Sequence, residues 1–179
     1  MKANVQEQVL AACIGNFFLG DDGFGCAVAR ELATMNPGPE VKVVDFGIRG
    51  IDLAYALLEP YKAVIFVDAI QRRGQPGTIY VLQSENDDDS DGGAFPSPDP
   101  HSMDPENVLA LARSLGKVTS RIYVVGCEPN DFGDELAGRM GLSQRVASAV
   151  PEAARAVLEL AGRIGTGMIE EGRTVSASN

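Results

Sequence analysis

Gly15-Asn16-Phe17-Phe18-Leu19-Gly20-Asp21-Asp22-Gly23-Phe24-Gly25 is the stretch from which the fold is read. A short apolar segment, Val9 to Ile14, precedes it, and beyond it Phe24, Val28 and Leu32 recur at every fourth position as one face of a helix. The order is strand, glycine-rich loop, helix. Glycines at 15, 20, 23 and 25 permit a sharp turn where side chains would collide. The same loop carries two adjacent carboxylates, Asp21 and Asp22, at the mouth of the fold.

Working outward, the first helix is expected to end near Met35, because Asn36-Pro37-Gly38-Pro39 cannot continue it. Val41 to Val44 reads as a second strand, leading into Asp45-Phe46-Gly47-Ile48-Arg49-Gly50. A second helix, with Ile51, Ala54, Leu57 and Leu58 on its buried face, stops at Pro60. Ala63-Val64-Ile65-Phe66-Val67 is a continuous apolar run rich in β-branched residues, the pattern of a central strand covered on both faces, and Asp68 ends it. The short connection Gln71 to Gly77 predicts that Thr78 to Leu82 pairs antiparallel with that strand and lies at an edge.

Ser84 to Pro100 reads as a loop, with Glu85, Asp87, Asp88, Asp89 and Asp91 in its acidic half. Asp104-Pro105-Glu106 starts a helix whose buried face carries Leu109, Ala112 and Leu115 alongside Val108 and Leu111, and Gly116 closes it. Arg121 to Gly126 is the last strand, and Glu128 to Gly141 yields no assignment. Ser143 is expected to cap a helix through Val146, Val150, Val157 and Leu160, kinked or broken at Pro151 and frayed from Gly162. The alternation predicts a three-layer α/β/α sandwich around a mainly parallel five-stranded sheet with one antiparallel edge strand. One α/β domain is expected over residues 1–161, followed by a flexible tail over residues 162–179. Ligands of such sheets collect beyond the carboxyl ends of the strands, and Asp21, Asp22, Asp45, Asp68, Cys127 and Glu128 all fall on that rim.

A chain of 179 residues with 45% hydrophobic content can bury one proper core. The net charge of −10 argues against a nucleic-acid partner or an anionic membrane surface, both of which need clustered Lys and Arg. No apolar run approaches the roughly 20 residues that span a bilayer, and the N-terminal apolar segment is too short for a signal peptide, so the chain is read as cytoplasmic. The cysteines at 13, 26 and 127 suggest neither a disulfide framework nor a zinc ribbon.

The rim admits several chemistries. A dinucleotide site is disfavoured, since Asp21 and Asp22 would occupy the place where a pyrophosphate needs bare amides. Asp22, Asp68 and His101 would make an O,O,N donor set with open positions, suited to catalysis or transfer at a divalent cation. Each also has a plainer role: an Asp before a helix caps it, an Asp at a strand end is solvated, and a lone loop histidine is idle. A thiol nucleophile, Cys127 or Cys26 with His101 as base, is a further candidate. The acidic run lacks the spaced ligands of a calcium loop.

Three segments, in this order, resemble the maturation endopeptidases of nickel-iron hydrogenases. Gly15-Asn16 followed by Asp21-Asp22-Gly23-Phe24-Gly25 is similar to that family's opening motif, Val67-Asp68-Ala69 to its second, and Pro100-His101 before a helix to its third. The resemblance runs from about Val9 to Leu160. Ile48 departs from it, standing where a Thr is common. What the resemblance implies is a soluble protease without a permanently bound metal, acting on the hydrogenase large-subunit precursor. It would recognise nickel already inserted in that precursor and remove a short C-terminal extension. Carried over, the metal-contacting and catalytic positions fall on Asp22, Asp68 and His101, with Asp21 supporting the loop. Two other classes use the same groups: a non-hydrolytic nickel-sensing chaperone, and a small-molecule metallohydrolase, which would need a resident metal and more ligands than a single His supplies.

Overall fold

The computed structural model describes residues 4–83, 105–132 and 140–168. Strands β1 (Val9–Ile14), β2 (Val41–Gly47), β3 (Ala63–Ala69), β4 (Ile79–Gln83) and β5 (Arg121–Cys127) form a five-stranded sheet in the order β2-β1-β3-β5-β4. All neighbours are parallel except β4, which runs antiparallel to β5 at the edge. Helices α1 (Phe24–Met35) and α4 (Gln144–Gly165) cover one face, and α2 (Gly50–Ala56) and α3 (Pro105–Leu115) the other. This is the expected three-layer α/β/α arrangement.

Sandwiching between two helix layers explains why β1 and β3 lack polar alternation. In β1, Val9, Ala11 and Cys13 pack toward α1 and α4, while Leu10, Ala12 and Ile14 pack toward α2 and α3. Every residue of β3 is likewise buried, Asp68 included. Helix α1 stops as expected at Met35, where Asn36 takes the left-handed conformation (φ 50°) that ends helices.

Several local expectations are corrected. Strand β4 pairs with β5 and not with β3, because the parallel strand β5 occupies the free edge of β3. Ile51 and Leu115, expected in the core, are 66% and 47% exposed. In α2 the buried face is Leu53, Ala54 and Leu57, and Ile51 stands about 200° around the axis from Leu53. Helix α4 runs unbroken through Pro151. Both Pro151 and Ala147, whose carbonyl loses its partner, lie on the exposed face, where water can supply the missing bond. The helix also continues past Gly162 to Gly165, with Ile164 fully buried. Among the described residues no helix is long and apolar enough to cross a membrane.

From β1 the chain crosses on one face to β2, then returns on the opposite face to β3 on the other side of β1. That reversal opens a crevice beyond the carboxyl ends of β1 and β3. Helix α1 closes tightly on it, because a Cβ at Gly25 would overlap the carbonyl oxygens of both Ile14 and Val67. Gly25→Ala is therefore expected to cost at least about 1–3 kcal/mol by forcing α1 off the two strands, a loss measurable as a lowered midpoint in chemical or thermal unfolding.

Candidate functional site

Gly15 leaves β1 with φ 132°, and a Cβ there would overlap the carbonyl oxygen of Asp22, so the loop folds back directly over the strand end. A single 3-10 turn, Gly20–Gly23, then presents the two acids and rests against β3. Neither acid caps α1: the N-cap is Gly23, with no side-chain hydrogen bond. The Asp21 side chain is fully buried. Its carboxylate accepts from the backbone N–H of Asn130 (2.8 Å), Asp131 (3.1 Å) and Ser143 (2.6 Å) and from the Ser143 hydroxyl (2.9 Å). Ser143 thus sits at the N-cap position of α4 but spends its hydroxyl on Asp21. Asp21 anchors the turn to the segment between β5 and α4.

Asp22 is half-buried and accepts from the Asn16 N–H at 2.8 Å. Burial raises its pKa above the ordinary carboxylate value, and the Asn16 N–H only partly offsets that. Asp68, 7% exposed, lies within β3 opposite Gly126 of β5 and accepts from the Ala69 N–H at 2.8 Å. The structure thus brings the Asp22 turn against the strand that carries Asp68. His101 lies outside the described residues, as does the acidic run at 85–91. Among the described residues no three His, Cys, Asp or Glu side chains are grouped to hold a metal, so Asp22 and Asp68 would need a third donor from elsewhere.

The described residues lend the thiol alternative no support. Cys13, Cys26 and Cys127 are all buried. Burial, with Asp45 nearby, pushes the Cys26 thiol up to about 12, and burial, with Asp21 nearby, does the same to Cys127. Cys26 donates its S–H to the Gly15 carbonyl at 3.4 Å instead of presenting a thiolate.

Beside the Asp22 turn opens a cleft of about 360 Å³, walled by residues Gly15 to Phe18 on one side and Asp45 to Arg49 on the other. The second wall exists because β2 carries an extra residue against β1, the register shifting between Cys13 and Ile14, after which Gly47 turns with φ 55°. Phe18 and Ile48 project from the walls at 63% and 62% exposure, and the Arg30 guanidinium lies 4.7 Å over the Phe17 ring. An apolar cleft next to a carboxylate can seat an extended peptide.

Sequence reasoning missed the role of Glu128. It follows an apolar run in the sequence just as Asp68 does, and that shared placement was the signal available. Its carboxylate, 4% exposed, accepts from the N–H groups of Arg72 (2.9 Å) and Arg73 (3.0 Å) and from the Tyr80 hydroxyl (2.9 Å). Burial alone would raise its pKa, but these donors and the Gly74 N–H outweigh burial and hold it below the usual carboxylate value. The stability it contributes is therefore fully present above the ordinary carboxylate pKa and is lost as pH falls through the lowered folded value. Glu128→Gln is expected to lose about 1–3 kcal/mol at neutral pH, with the gap to the wild type narrowing below the carboxylate range, as unfolding measured across pH would show.

The family model described as hydrogenase maturation protease matches residues 26–160. A candidate hydrogenase maturation protease of Methanocaldococcus jannaschii is 33% identical over 156 residues, 86% of this chain and 96% of its own length. The hydrogenase expression/formation protein HupD of Rhodobacter capsulatus is 31% identical over 162 residues, 87% of this chain and 73% of HupD. Among solved structures, a hydrogenase 2 maturation peptidase from a Thaumarchaeota archaeon superposes with a TM-score of 0.62 at 28% identity, covering 87% of this chain and 98% of the other. The Escherichia coli hydrogenase maturating endopeptidase HybD shares the fold with a TM-score of 0.65 at 23% identity, over 89% of this chain and 94% of HybD. By sequence and by fold, this chain belongs to the hydrogenase maturation proteases and is a peptide hydrolase.

Proposed function

We propose that this protease removes the C-terminal extension of a nickel-iron hydrogenase large-subunit precursor once nickel has been inserted. It would act in the cytoplasm, reading the nickel carried by its substrate and holding no metal of its own. The observation that carries this reading is the position of two carboxylates at the switch-point crevice of a chain from this family. Asp22 stands on the turn after β1, against neighbouring β3, whose end bears Asp68. With His101 they would supply two oxygens and one nitrogen to an ion arriving in the precursor.

Nickel so held would polarise the scissile carbonyl. Water then adds to the carbonyl carbon, an aspartate accepts its proton, and the C–N bond breaks as that proton passes to the leaving amine. The cleft between Phe18 and Ile48 would hold the extended segment across the bond. Because the ion arrives with the substrate, cleavage would depend on correct metallation.

The test is to incubate the protein with nickel-loaded and nickel-free precursor and follow the released C-terminal fragment by mass. Cleavage of the loaded form alone is expected. Equal cleavage of both would sink the metal gate, and cleavage of neither would favour a nickel-sensing chaperone. Asp68→Asn and His101→Ala are each expected to abolish release. Asp22→Asn should abolish it too, without loss of stability at neutral pH. The Asp22 carboxyl binds its proton more tightly folded than unfolded, so its contribution to stability falls as pH rises from the ordinary carboxylate value through the raised folded one. Removing the charge while keeping an acceptor for the Asn16 N–H leaves the unfolding midpoint unchanged or higher.

A further inference from the structure

The connection between β3 and β4 is held more firmly than a short polar loop requires. Besides the bonds from Arg72 and Arg73 to the buried Glu128 carboxylate, the Gly77 N–H donates to the Glu128 carbonyl (2.8 Å) and the Glu128 N–H to the Thr78 carbonyl (2.9 Å). At its start the Ile70 N–H donates to the Cys127 carbonyl at 2.9 Å. Within this clamp Arg73 is forced to φ 64°, a conformation that an L residue keeps only where its surroundings enforce it. Glycine would sit there without strain, as it does at Gly77 with φ 88°. The arginine side chain is present in spite of the backbone.

Arg72 and Arg73 are both exposed, and the Arg72 guanidinium lies 5.5 Å over the Tyr80 ring, which holds its plane. Among the described residues neither guanidinium has a carboxylate within ion-pair distance. The loop begins directly after β3, so the pair stands on the same rim as Asp68. A chain of net charge −10 would otherwise repel an acidic peptide approaching that rim.

We propose that Arg72 and Arg73 form a carboxylate-binding subsite beside the cleavage site, taking an acidic side chain or the terminal carboxylate of the precursor's C-terminal extension. The identity of the ligand rests on the maturation-protease reading above. Arginine forks bind carboxylates in two parallel bonds, and a rigid loop lets them do so with little ordering cost.

Binding and cleavage of nickel-loaded precursor are compared for wild type, Arg73→Gly and the double variant Arg72→Gln/Arg73→Gly. Glycine accepts the left-handed backbone, so Arg73→Gly should keep or raise the thermal midpoint while losing affinity. In the double variant Kd and KM are expected to rise about 10-fold, with kcat little changed and a flatter salt dependence of binding. Two altered precursors separate the sources: one amidated at its C-terminus, the other with the acids of its extension changed to amides. Wild type should lose affinity for one of them, and the double variant should be insensitive to both changes. Unchanged Kd and KM in the double variant, or wild-type affinity indifferent to both altered precursors, overturns the subsite and leaves the protease reading standing. Arginine-dependent binding by a wild type that never cleaves would overturn the protease reading and leave the subsite.

Discussion

At Gly25 the first turn of α1 touches two strands at once, with the carbonyl oxygens of Ile14 and Val67 where a side chain would be. This contact sets how close α1 comes to the sheet and brings the Gly20–Gly23 turn down onto the carboxyl ends of β1 and β3. The strand order makes those two ends the place where the chain's path reverses, so the crevice and the turn coincide. Were α1 held farther off, the turn would no longer rest against β3, and Asp22 would lose its relation to Asp68.

Three acids on the rim differ chiefly in how many donors reach them. Asp21 takes bonds from Asn130, Asp131 and Ser143 and serves as an anchor. Glu128 gathers the amides of the β3–β4 connection and the Tyr80 hydroxyl, enough to stabilise its charge despite burial. Asp22, half-buried with the Asn16 N–H as its donor, stays electrostatically unsettled and titrates high. A carboxylate left short of donors at a crevice is poised for a proton or a cation, whereas a saturated one holds structure. The same loop thus places an acid held by four hydrogen bonds beside one held by the Asn16 N–H, and the first fixes the turn that carries both.

Much of the architecture was legible in the chain. The apolar runs at Val9 to Ile14 and Ala63 to Val67 read as doubly covered strands because a strand buried on both faces has no polar alternation to show. Helix α1 was bounded correctly by Asn36-Pro37, a local stop signal. The errors arose where neighbours decide. Ile51 and Leu115 are apolar at helical spacing, yet they face away because α2 and α3 present other residues to the sheet. Strand β4 sits beside β5 because β5 competes for the edge of β3, which sequence proximity cannot reveal.

By itself the sequence determined the elements, the layered fold, and which acids stand at strand ends, since period, chain punctuation and strand polarity are local properties. Only the tertiary structure decided what each acid does. The donors to Asp21 come from residues 109 to 122 positions away, and those to Glu128 from 48 to 56 positions away. The electrostatic state of a carboxylate is set by the dipoles and the dielectric around it, and those are assembled only when distant segments of the chain meet.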